Sequence, residues 1–229
     1  MALNELGLID CPMPLMFSPD EELGSPSASR SLAQGLPGAR AAINSTRTRK
    51  VGVLATPLTV RTGAYTRAIQ DLDAGVDVYG CPAPSFVEIV EHELATGAHL
   101  QERWLQNGDI FDTLENRVEV ERTLAPIISG GAQVDTVVLG CTHFPLLAGP
   151  IRHALGPDVR VVSSAEETTR ELEDILSRRD LLAPQTAQPE HRFATTSDNI
   201  AEFAAAGSFI FGQPLKSIEH ISLDELRGL

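Results

Sequence analysis

Cysteine is scarce in this chain of 229 residues, with three in all: Cys11, Cys81 and Cys141. They are odd in number, widely spaced and without a CxxC pair, which argues against a disulfide framework and for reduced thiols. Apart from Cys141 and His143, no Cys/His pair stands at ligand spacing, so no metal site is expected. Long apolar runs are missing as well, and none approaches the ~20 residues that cross a bilayer. Basic residues are outnumbered, 18 Lys and Arg against 31 Asp and Glu, for a formal net charge of −13 and a pI near 4.8. A field of that sign repels phosphate backbones and anionic lipids, so neither nucleic acid nor a membrane is expected as a partner. An acidic small molecule stays open, provided that local backbone amides hold it. The opening "MALNELGLIDCPMPLMF" has acidic residues where a secretion signal needs basic ones, and the expected location is cytoplasmic.

What is present reads as a globular α/β protein, with 42% apolar and 21% charged residues. Residues 1–35, dense in Pro, Ser and Gly, show no period and are expected to be irregular or disordered. From "ARAAINSTR" onward, apolar strands alternate with amphipathic helices. "KVGVLAT", "VDVYG", "VDTVVLG" and "DVRVVSS" read as strands. "TGAYTRAIQDL", "SFVEIVEHEL", "TLENRVEVERTLAPII", "PLLAGPIRHAL" and "AEETTRELEDILSRR" read as helices, the last with acidic residues in its first turn and arginines in its last. β-branched strands separated by such helices predict a parallel sheet covered by helices on both faces. After a linker, "LLAPQTAQPE", come a strand "HRFATT", a helix "DNIAEFAAAG" and a strand "KSIEHI". No internal repeat is visible.

Ligands of such sheets collect where strands end and loops run into helices. Two loops therefore stand out: "ATPLTVRTG" after the first strand and "GCTHFP" after the third. In the second, Cys141 closes a buried strand just ahead of Pro145, placed as a helix-opening proline. A thiol there feels free amides and the positive end of a helix dipole, which favour thiolate. His143 lies two residues on, so in an extended stretch both side chains share a side, and an imidazole there can relay a proton or orient the thiol. Thr142 adds a hydroxyl. The plainer reading makes Cys141 a small buried hydrophobe and His143 a satisfied turn residue. For Thr56 and Thr59 the plainer reading is turn chemistry and helix capping.

The string "LGCTHFPLL" resembles the second catalytic segment of glutamate racemases, the cofactor-independent amino-acid racemases. Further segments match in the same order: "LPGARAAINSTRTRKVGVLATPLTVRTGAY", "YGCPAPSFVEIVE", "HRFATTSDNIAEF" and "IEHISLDEL". The resemblance runs from about Gln34 to the C-terminus. It implies two similar α/β lobes clamping glutamate, with one cysteine removing the α-proton and another returning a proton to the opposite face. By this match Cys141 is the second lobe's cysteine, with Thr142 as substrate contact and His143 as substrate contact and proton-relay partner. Thr56 and Thr59 match a hydroxyl-bearing loop near the substrate carboxylate. Cys81, in the family's Cys-Pro position, is read as structural. The resemblance implies no cofactor, a bacterial cytoplasm, and D-glutamate supply for peptidoglycan.

The family's first lobe carries an Asp-Ser-Gly turn, a Tyr-Gly contact and a Cys-Asn-Thr triplet. The Asp-Ser-Gly and Cys-Asn-Thr strings are not in this sequence, and its one Tyr-Gly, Tyr79-Gly80, belongs to the matched segment "YGCPAPSFVEIVE" instead. Cys11 is no substitute, since no Asn-Thr follows it and Pro12 and Pro14 forbid the strand-to-helix turn. The expectation is therefore one complete lobe over 36–163 and, over 164–229, the C-terminal part of a truncated one, as in a shortened or mis-started gene product. Apolar faces left without cover predict low stability, homo-oligomerisation or a partner chain. Two other readings stay open: a non-catalytic binding protein that keeps one racemase lobe, and a relative acting on aspartate or a hydantoin.

Overall fold

The computed structural model describes residues 36–95, 100, 102, 109–184 and 190–227. The expectation for residues 1–35, with the reading of Cys11, lies outside them. The chain divides into two compact units. One takes in the described residues of 13–90 and 111–181, and the other those of 91–110 and 182–229.

The larger unit is a four-stranded sheet, all parallel and covered by helices: β1 (Lys50–Ala55), β2 (Asp77–Pro82), β3 (Thr136–Leu139) and β4 (Arg160–Ser163) in the order β2-β1-β3-β4. The central strands are buried along nearly their whole length, as expected of β-branched runs with both faces covered. On one face α1 (Leu36–Ser45) and α3 (Ala64–Leu72) pack Ala39, Ala42, Ala68 and Ile69 against Val51, Val53, Ala55 and Val138. On the other, α5 (Leu114–Ile128) buries Val120, Leu124 and Ile127 at helical spacing. Gly52 admits this helix, because a Cβ there would meet Ile127 and Val137 at 3.2 Å. Phe86 of α4 (Pro84–Ala95) and Phe144 are fully buried and meet edge to face, with centroids 5.2 Å apart.

Two local expectations are corrected. The loop after β1 contains a short helix, α2 (Pro57–Thr62), capped by Thr56 and stopped by Gly63 at φ 64°. The segment "PLLAGPIRHAL" is not one helix: a 3₁₀ turn over Phe144–Leu147 precedes α6 (Ala148–Leu155). Pro150 is the cause, because its ring would strike the carbonyl of residue 146 in a continuous α-helix. The predicted strand at 158–164 hands over to α7 (Ser164–Arg178), with the Ser163 hydroxyl accepting the Glu166 amide. The sheet unit runs on past residue 163, where the sequence reading begins the other lobe, to Leu181. Helix α7 lies in it because α7 packs on α1.

In the smaller unit β5 (Phe193–Thr195) and β6 (Ile218–His220) form a parallel pair, followed in space by α8 (Ile200–Phe211) packed on β6. Helix α9 (Leu223–Arg227) ends the described chain. His191, Phe193 and Phe211 make a small aromatic cluster with centroids 5.1–6.2 Å apart. Among the described residues no helix is long and apolar enough to cross a membrane.

Candidate active site

The strand order creates the site. From β1 the chain moves to β2 on one side, then returns to β3 on the other, so the loops leaving β1 and β3 part company at the carboxyl edge. Such a switch point opens a crevice where doubly wound sheets bind ligands. The register then decides which residues flank it. Leu54 pairs with Leu139, and the Gly140 amide still donates to the Leu54 carbonyl at 2.8 Å. Two positions further on in each strand stand Thr56 and Cys141, the first residues free of the ladder.

Cys141 is half-buried and unbridged. Its Sγ lies 3.6 Å from His143 Nδ1, within hydrogen-bonding reach for sulfur. The two meet through a turn rather than along an extended strand, since the Phe144 amide donates to the Cys141 carbonyl at 3.3 Å. This corrects the extended geometry read from the sequence and keeps the juxtaposition. Thr142, between them, is exposed, and the imidazole of His143 is half-buried.

Thr56 and Thr59 sit side by side with Oγ atoms 3.0 Å apart. Thr56 Oγ1 accepts the Thr59 amide at 3.3 Å and so caps α2. Thr59 is buried, while Thr56 keeps part of its surface. The capping role weighed for these threonines is therefore present, and Thr56 is the more exposed of the two. Cys81 is different in kind: it is 3% exposed, its thiol donates to the Thr123 carbonyl at 3.3 Å, and burial pushes its pKa up to about 11. It is a packed thiol.

Two residues at this edge drew no attention in the sequence. Tyr65 donates from its hydroxyl to Ser164 Oγ at 2.9 Å, joining α3 to the start of α7. Burial pushes the Tyr65 phenol upward, the Ser164 bond pulls it back in part, and the nearby Cys141 thiolate charge adds to the rise. The only signal for Tyr65 was an aromatic residue just behind "VRTG".

An open concavity of about 660 Å³ runs along the free edge of β4, lined by Arg47, Asp135, Arg152 and Arg170 among others. It starts at the amino ends of β3 and β4 and includes neither Cys141 nor His143, so it is separate from the Cys141 turn. Among the described residues no group of three or more His, Cys, Asp or Glu could hold a metal ion.

No family model matches the chain. It is 34% identical to the glutamate racemase of Bacillus cereus over 189 residues, which are 82% of this chain and 63% of the relative. The crystal structure of a glutamate racemase isoform from Bacillus anthracis superposes with a TM-score of 0.67 at 34% identity, covering 82% of this chain and 63% of that one. The glutamate racemase of Thermus thermophilus, solved with β-chloro-D-alanine, gives a TM-score of 0.61 at 26% identity, covering 86% and 71%. The chain thus spans 63% of the length of its Bacillus cereus relative.

Proposed function

The chain belongs to the glutamate racemase family, and from that premise we propose that the Cys141–Thr142–His143 turn is one half of an acid–base site for glutamate. The observation that carries this reading is the Cys141 Sγ to His143 Nδ1 approach of 3.6 Å at the sheet's switch point. The Cys141 thiolate takes the α-proton from one face of the amino acid, leaving a thiol and a carbanion. His143 orients the thiol and relays its proton to solvent, and Thr142 and Thr56 offer hydroxyls to the substrate. An amino-acid α-proton is far less acidic than a thiol, so the developing carbanion must be stabilised where it forms. The ligand class is supported by the relatives, which are glutamate racemases, one of them solved with an amino-acid analogue. The setting proposed is a bacterial cytoplasm, where D-glutamate serves peptidoglycan synthesis.

Inversion needs a proton donor on the far face, and the family's Cys-Asn-Thr triplet does not occur in these 229 residues. The proposed activity of this chain is therefore one-sided: the α-proton of one enantiomer exchanges with solvent, with retention. Each enantiomer is incubated in heavy water and its α-proton followed by NMR, with chiral analysis of the product. Loss of the signal for one enantiomer, abolished by Cys141→Ser, is the expected result. Full racemisation would overturn the one-sided account. The missing triplet also favours a second reading, a binding module, in which no exchange occurs and glutamate binding survives Cys141→Ser.

A further inference from the structure

Gly140 is the last residue of the β3 ladder and the one before Cys141. A Cβ on it would stand 2.8 Å from Tyr65 Cε2, 3.2 Å from Tyr65 Cζ and 3.2 Å from the Leu54 carbonyl oxygen. Only a glycine lets the aromatic ring lie directly on the backbone that leads into the catalytic turn. The far end of that ring is tied down, because the Tyr65 hydroxyl donates to Ser164 Oγ at 2.9 Å. Ser164 is itself confined: it is 9% exposed, and its Oγ lies 2.7 Å from where a Cβ on Gly38 of α1 would stand. The ring is thus a brace between the amino end of α7 and the carboxyl end of β3. A phenylalanine would fill the same space but would have no tether.

We infer that Tyr65 is a positioning residue for Cys141: its ring backs Gly140 and its hydroxyl is anchored on Ser164, so the turn holds the thiol against His143. This rests on the Cys141–His143 reading above. The groups that face the thiol and titrate are His143, through its Nδ1, and Tyr65 itself, whose phenol registers the thiolate charge.

The test is the pH profile of alkylation at Cys141 by iodoacetamide in the full chain, read by mass spectrometry. Cys81, at 3% exposure, serves as the internal reporter of folding. The profile is measured with His143 and with His143→Gln, in the parent, in Tyr65→Phe and in Tyr65→Ala. The displacement of the midpoint that His143→Gln causes measures how firmly thiol and imidazole are held together. That displacement is expected to fall to about half in Tyr65→Phe and to vanish in Tyr65→Ala, as coupled residues behave in a mutant cycle. Tyr65→Phe is isosteric, so the inference stays testable even if Tyr65→Ala unfolds and exposes Cys81. An equal displacement in all folded backgrounds overturns the inference alone, since a brace with only a structural role would lower stability and leave the coupling intact. No displacement in the parent removes the Cys141–His143 reading, and the role of Tyr65 with it.

Discussion

Helices α5 and α8 make the contrast between the two units concrete. Helix α5 carries five charged residues among its fifteen and still buries Val120, Leu124 and Ile127. Helix α8, "IAEFAAAGSFIF", is far more apolar and has no buried residue, with Ile210 47% exposed. The difference lies in what each packs on. Four parallel strands offer α5 a surface with residues to bury on both sides, whereas the β5–β6 pair has three residues per strand and cannot cover a helix. Burial, not composition, should then set the cost of losing a side chain. Phe86→Ala in the sheet unit removes a fully buried ring and its edge-to-face partner contact, at a cost of about 3–5 kcal/mol. Phe203→Ala in the half-buried face of α8 should cost about 1 kcal/mol, in proportion to the smaller area it hides. Urea unfolding followed by circular dichroism compares them, and equal losses would break the contrast.

A second device lies within the sheet unit. Asp135, 8% exposed, accepts hydrogen bonds from Thr46 Oγ1 at 2.6 Å and from the Arg47 and Thr48 amides at 2.6 and 2.8 Å. It ties the turn that enters β1 to the residue that enters β3. Burial alone would raise its pKa, but these bonds and that of Thr136 outweigh burial and hold the carboxyl below the usual range. With the folded value depressed, its contribution is fully present above the unfolded pKa of about 3.9, and is lost as pH falls through the folded value. Asp135→Asn should therefore cost about 2 kcal/mol at pH 7, the scale of bonds to a charged acceptor. The gap between parent and variant should narrow as pH is lowered below 4 in the same unfolding experiment. A constant gap across pH would mean that the charge contributes nothing.

How much of this could be read beforehand follows the range of the interactions. Val51–Ala55 and Thr136–Leu139 announce themselves as strands because both faces are buried, and α7 because Ser163, Glu166, Glu167 and Arg178 mark its ends locally. Helix α2 hid behind Thr56-Pro57, which reads as a turn when only five residues follow before Gly63. The chemistry of Cys141, Thr142 and His143 is legible from residue types at close spacing. That Thr56 and Cys141 leave neighbouring strands at the same edge is not, because it follows from the strand order and register, the two lying 85 positions apart. Tyr65 and Ser164 lie 99 positions apart, and nothing local in either marks the bond.

The smallest expected effect is the sharpest probe of the contrast, because two matched caps differ only in what lies beneath them. Ser163 Oγ accepts the Glu166 amide at 3.3 Å to open α7, and Asn199 Oδ1 accepts the Glu202 amide at 3.2 Å to open α8. Replacing either by Ala removes about 1 kcal/mol of helix stabilisation. In α7 the same turn is also held by the Tyr65–Ser164 bond and, about two turns on, by the Arg40–Glu171 ion pair at 2.7 Å. Those ties keep the helix end closed, so Ser163→Ala should appear only as a slightly lower global stability. In α8 no buried side chain resists fraying, so Asn199→Ala should speed amide exchange in the first turn roughly five-fold and leave the sheet unit unchanged. Hydrogen exchange resolved along both helices gives the answer. Equal acceleration in α7 and α8 would show that burial in the sheet unit does not protect its helix ends.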